Sequence, residues 1–327
     1  MKLLVTGGLG FIGSNFILNI LKDTPFEIVN LDNEYYGSNH ASLASIRNSK
    51  YYKFVKGSIT DEKVVNKLVK DCDMVVNFAA ESHVDRSISN VRPFVDSNYF
   101  GVFVILEAIK NEKKRLVQIS TDEVFGSLEK GSADEQFKMN PSSPYASTKA
   151  SAELLIKSYV TTYDSDCVIT RCTNNYGPRQ FPEKLIPKTI ILAKSNKNIP
   201  VYGSGKNVRD WIYVDDHCNA VLKTLLDGKS GESYNISAKN EIDNMTIIKK
   251  ILSILDKSED LIEFVEDRPG HDFRYSLDST KIHNELSWNP KTEFDLGLEN
   301  TVKWYLENKK WWENISQDTL NSTPWKN

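Results

Sequence analysis

The feature that most restricts this chain is a run of glycines set directly behind its first apolar stretch. Residues 2–6 read Lys-Leu-Leu-Val-Thr, and the chain continues Gly7-Gly8-Leu9-Gly10-Phe11-Ile12-Gly13-Ser14. The glycines are spaced both as GxxGxxG and as GxGxxG, at a junction between strand and helix. Glycine there lets the backbone turn tightly and come close to a pyrophosphate, whose charge is met by the amides at the start of the helix. A plain tight turn would use the same residues. The strand-to-helix setting is what points to a dinucleotide.

Asp32 closes the second apolar run, about 20 residues past the last glycine. A carboxylate in that place accepts hydrogen bonds from both hydroxyls of an adenosine ribose and repels a 2′-phosphate, which favours NAD over NADP. Its alternative use is as a turn or helix cap.

Five β-rich runs, at 2–6, 27–31, 74–78, 116–120 and 167–171, alternate with helical segments at 13–22, 61–70, 95–111 and 143–163. The runs are apolar on both faces, as strands covered by helices on each side must be. That order predicts an α/β fold, a Rossmann-type doubly wound parallel sheet with a smaller C-terminal substrate-binding lobe. Past residue 171 the pattern changes to a proline-bearing stretch at 177–187, the turn Gly203-Ser204-Gly205 and a mixed tail. We therefore expect an NAD-binding domain over 1–178 and a substrate-binding domain over 179–327, with parts such as 208–236 returning to the first. The last dozen residues, largely polar apart from Leu320 and Trp325, are expected to fray.

Composition excludes several classes. With a formal charge of -3 over 327 residues and no run of Lys or Arg, the field that attracts a nucleic acid backbone is missing. Cys72, Cys167, Cys172 and Cys218 form no CxxC pair, which argues against a disulfide framework or a zinc cluster. His40, His83, His217, His271 and His283 have no metal-ligand spacing, so no metal is expected. No apolar stretch reaches the roughly 18 residues of a membrane span, and the opening run is too short for a signal peptide, so a cytoplasmic protein is expected. The aromatic group Trp304, Trp311 and Trp312 reads as packing.

Tyr145 and Lys149 form a YxxxK pair, four residues apart and so on one helix face. A nearby ammonium and a nicotinamide's positive charge would favour the phenolate that a tyrosine base needs. Thr121-Asp122-Glu123 follows the run at 116–120, at the carboxyl edge of the sheet where open α/β folds place ligands. Two adjacent carboxylates in different environments can divide acid from base work. A hydrogen-bonded turn is the structural alternative.

Together these residues resemble the extended short-chain dehydrogenase/reductases, and more narrowly the dTDP-glucose 4,6-dehydratases. The narrower resemblance rests on Ala-Ala-Glu-Ser-His-Val-Asp-Arg-Ser at 79–87, Ser-Thr-Asp-Glu-Val at 120–124 and Arg-Cys-Thr-Asn-Asn-Tyr-Gly-Pro at 171–178. It continues in Pro-Glu-Lys-Leu-Ile-Pro at 182–187, Val-Arg-Asp-Trp at 208–211 and Arg-Pro-Gly-His-Asp at 268–272. The resemblance implies a lyase that binds NAD and a nucleotide sugar and makes a 4-keto-6-deoxy sugar for deoxysugar synthesis, such as that of rhamnose. In the implied reaction Tyr145 takes the proton of the C4 hydroxyl, held by Thr121, as hydride passes from C4 to NAD. Glu123 then removes the C5 proton while Asp122 protonates the departing C6 oxygen, and the hydride returns to C6.

The resemblance also implies cofactor contacts from Gly7, Gly10, Phe11, Ile12 and Gly13, and from Asp32, Asn33, Ser58 and Ile59. Ala79, Ala80, Ser82, Asn98 and Asn175 complete that set with Tyr145 and Lys149. Substrate contacts are implied at His83, Asp85, Arg86, Thr121, Glu123 and Asn174, with Lys184, Leu185, Pro200 and Tyr202 around the nucleotide. Arg209, Asn244, His271 and Arg274 would meet the diphosphate and the far end of the ligand. A homodimer through the helices at 95–111 and 143–163 is implied as well. The chain departs from the family at Ser58, where aspartate is usual, at Phe125, where tyrosine is frequent, at Thr173 in place of serine, and along 35–43. A nucleotide-sugar 4-epimerase would share the glycine run and YxxxK without needing Asp122 and Glu123. A dehydratase of another nucleotide sugar, such as UDP-glucose, would keep all of them, whereas a non-catalytic NAD-sensing or RNA-binding relative need not keep Tyr145 and Lys149.

Overall fold

The computed structural model describes residues 1–320 and Trp325. Its strands are β1 (Lys2–Thr6), β2 (Glu27–Asp32), β3 (Tyr52–Lys56), β4 (Met74–Asn77), β5 (Arg115–Thr121) and β6 (Cys167–Cys172), then β7 (Asn174–Tyr176), β8 (Ile199–Tyr202), β9 (Val208–Tyr213), β10 (Ser233–Ile236), β11 (Glu241–Asp243) and β12 (Ile262–Val265). Seven of them form one sheet in the order β3-β2-β1-β4-β5-β6-β10, every neighbour parallel. Successive strands are laid down to one side from β1 to β3 and to the other from β4 onward. The carboxyl ends of β1 and β4 therefore flank the crevice where such sheets bind ligands.

The helices are α1 (Phe11–Asp23), α2 (Glu62–Asp71), α3 (Val84–Ser89), α4 (Arg92–Phe94), α5 (Gly101–Glu112) and α6 (Pro144–Tyr163), followed by α7 (Leu185–Lys194), α8 (Val214–Asp227), α9 (Asn244–Ile254), α10 (Thr280–Leu286), α11 (Phe294–Glu307) and α12 (Lys309–Trp312). Alternate residues of each strand point to opposite faces. Leu3 and Val5 join Phe16, Ile17 and Ile20 of α1, Val221 and Leu225 of α8 and Ile282 of α10 in one core. Leu4 faces the other side, with Val65 and Val69 of α2, Ile105 and Ile109 of α5 and Ile156 of α6. Both faces are thus covered, as the apolar strand sequences require, and the sheet is doubly wound.

Local signals set the helix ends. Asp61 caps α2, its carboxylate accepting from the amides of Lys63 at 3.0 Å and Val64 at 3.2 Å. Ser143 caps α6 by accepting from Ala146 at 3.1 Å, and Pro144 takes the first helical position. The single helix expected over 95–111 is a composite: α4 leads into a wider π segment at Val95–Phe100 before α5 begins. The widened turn aims Asn98 at the neighbouring loop, where it accepts from Glu81 N and donates to Glu81 O, both at 2.9 Å, and reaches Thr148 at 3.1 Å. Such π turns recur at functional sites because they re-aim a side chain without breaking the helix.

The rest of the chain builds a three-stranded sheet, β11-β9-β7, and the pair β12-β8. These enclose a third core that includes Ile186 and Ile190 of α7, Trp211, Ile247 and Ile251 of α9, and Leu298 and Tyr305 of α11. Within 208–236, β9 belongs to this part, while β10 extends the main sheet beside β6 and α8 packs on α1. Of the tail expected to fray, residues 321–324, 326 and 327 lie outside the described residues, and Trp325 is 9% exposed.

Candidate active site

A cleft of about 500 Å³ runs along the carboxyl edge of the main sheet. At one end it is walled by the glycine loop, Asp32, Asn33, Ser58 and Ile59, and at the other by Thr121, Asp122, Glu123, Tyr145 and Lys149. Ala79, Ala80 and Ser82 from the loop after β4 line the middle, with Asn174 and Asn175 from β7.

The glycine end is shaped by backbone. Gly7 has φ +68, and a Cβ there would lie 2.6 Å from the amide nitrogen of Ala79. A Cβ on Gly13 would lie 2.5 Å from the carbonyl of Gly7. Gly10 caps α1 without any side-chain hydrogen bond, which leaves the first amides of α1 open toward the cleft. Asp32 stands at the end of β2, one oxygen accepting from Leu9 N at 2.9 Å and the other from Glu34 N at 2.9 Å and Ser38 Oγ at 2.8 Å. Open amides at a helix start, a backbone approach that excludes any side chain, and a fixed carboxylate beyond are what a pyrophosphate-linked dinucleotide requires. Ser58 lines this end, its hydroxyl shared with Thr60 Oγ1 at 2.8 Å.

The other end is shaped by side chains. Thr121 ends β5 and caps a short 3-10 turn, Asp122–Phe125, accepting from Glu123 N at 3.3 Å. Its hydroxyl donates to one oxygen of Asp122 at 3.1 Å, and the other Asp122 oxygen is buried with no protein partner, as is Oε2 of Glu123. Burial, followed by the charge of Glu123, lifts the Asp122 carboxyl from 3.8 to about 8. Burial also raises Glu123, and Arg268, Arg209 and Lys184 offset part of that rise. Two adjacent carboxylates are therefore held in different electrostatic surroundings, one poised to keep its proton and the other surrounded by cations.

Tyr145 is 8% exposed in the first turn of α6, its amide donating to Ser87 Oγ at 3.3 Å. Lys149, one turn on, donates to the carbonyl of Ile119 at 2.6 Å, and burial lowers its ammonium to about 8. The phenol is not lowered by these residues: burial and the Glu123 charge hold it well above 10.0. A positive charge brought into the cleft beside it acts in the opposite direction.

With this geometry in view, the likeness to known proteins is specific. A family model described as GDP-mannose 4,6 dehydratase matches residues 4–301. The dTDP-glucose 4,6-dehydratase of Streptomyces niveus is 44% identical over 331 residues, 99% of this chain and 98% of its own length. The low-salt glycan biosynthesis protein Agl12 of Haloferax volcanii is 48% identical over 94% of this chain and 99% of its own. The crystal structure of DesIV, a dTDP-glucose 4,6-dehydratase from Streptomyces venezuelae with NAD bound, matches with a TM-score of 0.95 at 42% identity, covering 97% of this chain and all of that one. This chain belongs to the dTDP-glucose 4,6-dehydratase family.

The residues that resemblance to the dehydratases marks for substrate are not all in the cleft. Thr121, Glu123, His83, Asn174 and Lys184 line it, and Lys184 donates to Ser82 O at 3.0 Å. His83 is buried, its Nδ1 without a partner, and burial with the surrounding cations keeps it neutral. Asp85 and Arg86 are turned to protein groups: Asp85 pairs with Arg268 at 2.6 Å, and Arg86 stacks on the Tyr36 ring at 3.7 Å. Tyr202 donates to Asp85 at 3.2 Å, near the His271 ring. Leu185 and Asn244 open α7 and α9, and Pro200 lies on β8.

Arg209 is 5% exposed, gives hydrogen bonds to the carbonyls of Val208, Asp272 and Phe273, and stacks on Tyr275. Arg274 grips Glu241 with two bonds of 2.7 Å and donates to the carbonyls of Leu128 and Gly131. Asn98 is buried and holds the Glu81 loop rather than lining the cleft.

Sequence reasoning takes His271 from the block at 268–272 and passes over Arg268. Arg268 is the member whose charge acts on the site, pairing with Asp85 and opposing the rise of Glu123. Glu183 is missed as well, although it lines the cleft next to Lys184 and lies 3.6 Å from His83 Nε2. Both sit in blocks that the sequence singles out, but only the fold shows which member points inward. Among the described residues no helix is long and apolar enough to cross a membrane, and no group of three or more His, Cys, Asp or Glu is placed to hold a metal.

Proposed function

We propose that this protein is an NAD-dependent hydro-lyase that converts dTDP-glucose into dTDP-4-keto-6-deoxyglucose and water. The observation that carries the reading is the Asp122–Glu123 pair: each has a buried, unpartnered oxygen, and burial lifts Asp122 to about 8 while Arg268, Arg209 and Lys184 oppose the rise that burial gives Glu123. An epimerase has no step that uses such a pair. NAD in the cleft supplies the acceptor for the C4 hydride and the donor that returns it to C6.

The chain's own groups do the rest. Thr121 and Tyr145 hold the C4 hydroxyl, and Tyr145 takes its proton, with Lys149 fixed below by the Ile119 carbonyl. Oxidation at C4 acidifies the C5 hydrogen. Glu123 removes it, since Arg268, Arg209 and Lys184 favour its carboxylate. Asp122, still protonated at neutral pH, gives its proton to the C6 oxygen, which leaves as water. Reversing the roles at C5 returns the proton there.

We assign cofactor binding chiefly to 1–178 and the nucleotide sugar mainly to 179–327, with α8 and β10 returning to the main sheet. The protein pairs as a homodimer through α5 and α6. Supporting this are Val95, Tyr99 and Phe100, 38–40% exposed beside α5, and Leu154 and Tyr163, 60% and 52% exposed on α6. Four free, buried thiols suit a reducing cytoplasm.

The test is NMR of the reaction with NAD and dTDP-glucose in deuterated water. A 4-keto-6-deoxy product carrying deuterium at C5 is expected. A galacto product without deuterium would show an epimerase, and turnover only with UDP-glucose would reassign the base.

A further inference from the structure

Trp325 is 9% exposed, and its ring meets that of Tyr202 edge to face, with centroids 4.8 Å apart and planes at 85°. Tyr202 closes β8, and its hydroxyl donates to Asp85 at 3.2 Å. Asp85 is itself fixed by Arg268 at 2.6 Å, so the hydroxyl end of the tyrosine is tied to a buried ion pair. The ring is thus held twice, by a hydrogen bond at its tip and by an indole against its side. A tyrosine has only two side-chain torsions, and these contacts fix both, so the ring is set before any ligand arrives.

The indole covers an aromatic ring already anchored to the Asp85–Arg268 pair, whose arginine also acts on Glu123.

We propose that Trp325 is a positioning residue for the nucleobase subsite, holding the Tyr202 ring in the orientation against which a pyrimidine packs. The inference rests on the dTDP-sugar reading above, with Tyr202 near the nucleotide as resemblance to the dehydratases implies. A pre-set aromatic wall lowers the ordering cost of binding without touching the reacting carbons. The effect therefore belongs in KM and in nucleotide affinity, not in the chemical step.

The test is calorimetric binding of dTDP to the NAD-loaded full chain, with steady-state kinetics on dTDP-glucose, for the wild type, Trp325→Ala and Trp325→Phe. Trp325→Ala is expected to weaken dTDP and raise KM by about three- to tenfold, the size of one aromatic pair, with kcat held. Trp325→Phe should recover most of the loss. Equal dTDP affinity in wild type and Trp325→Ala would overturn the inference. So would tighter binding by the variant, which would mean the indole occupies the base's own place, or a loss confined to kcat. A wild type that does not bind dTDP at all would overturn the nucleotide reading itself.

Discussion

The two ends of the cleft are held by different physics. At the cofactor end the shape is backbone: Gly7 at φ +68 pressed against the Ala79 amide, the uncapped start of α1, and Asp32 fixed by neighbours within a few residues of the loop. At the substrate end the shape is side chain and long range. Asp85 meets Arg268 across 183 residues of sequence, Arg209 is spent on the carbonyls of Asp272 and Phe273, and Glu123 takes its charge balance from three separate segments. A backbone site tolerates no added atom, whereas a paired site tolerates coordinated change.

The largest expected effect tests the paired end. Arg268→Met takes the arginine from the buried Asp85 carboxylate, leaving it only the Tyr202 hydroxyl and the more distant charge of Lys188, and should cost about 3–5 kcal/mol in denaturant unfolding. Adding Asp85→Asn should return most of that loss, because the penalty lies in the stranded charge. A double variant as unstable as the single one would break the comparison. Arg268→Met should also raise the pKa of Glu123 and shift the acid limb of kcat to higher pH.

A smaller loss is expected at the glycine end, and it should resist repair. Gly7→Ala puts a side chain at positive φ and 2.6 Å from backbone nitrogen, for about 2–3 kcal/mol of stability and the loss of NAD binding by fluorescence titration. Ala79→Gly should not rescue it, since the opposing atoms are main chain. Rescue would mean that the loop yields more than its geometry suggests.

The smallest effect has the opposite sign. The Asp122 carboxyl rises from 3.8 to about 8 on folding, so ionising it burdens the folded state. The burden is absent below 3.8, grows as pH rises, and is complete above about 8. Asp122→Asn escapes that burden but leaves its own amide partly unpartnered in the same pocket, so the net should be a gain on the order of 1 kcal/mol at neutral pH and above, with no gain in acid, while turnover is lost. For the wild type, kcat should fall as pH rises through about 8, when the acid loses its proton.

The same contrast explains what the sequence made legible. The parallel sheet, the glycine loop and the place of Asp32 follow from short-range pattern: apolar residues on both strand faces, glycines at a junction, a carboxylate at a strand end. Thr121, Asp122 and Glu123 are legible for the same reason, as one triplet at the end of β5. The packing role read for Trp304 and Trp311 is matched by their rings, 5.2 Å apart within the third core.

What pattern could not show is decided by distant contacts. The π turn at Val95–Phe100 keeps a helical apolar rhythm, and its cause, the reach of Asn98 to Glu81, is tertiary. Arg268 and His271 stand in one block, and the path of the loop decides which one meets Asp85. Arg274, read as a ligand for the diphosphate, is bound to Glu241 and two carbonyls, partners that nothing near it in sequence announces. Trp325 reads as an apolar residue stranded in a largely polar tail until Tyr202 is seen beside it.

The account turns on Asp122 and Glu123 dividing elimination between acid and base, and the most direct test is Glu123→Gln mixed rapidly with dTDP-glucose in the NAD-loaded protein. Reduced nicotinamide absorbance should rise and persist without 4-keto-6-deoxy product, because C4 oxidation proceeds and elimination does not. Full turnover by the variant, or a variant that folds and binds NAD yet shows no rise in that absorbance, would contradict the account.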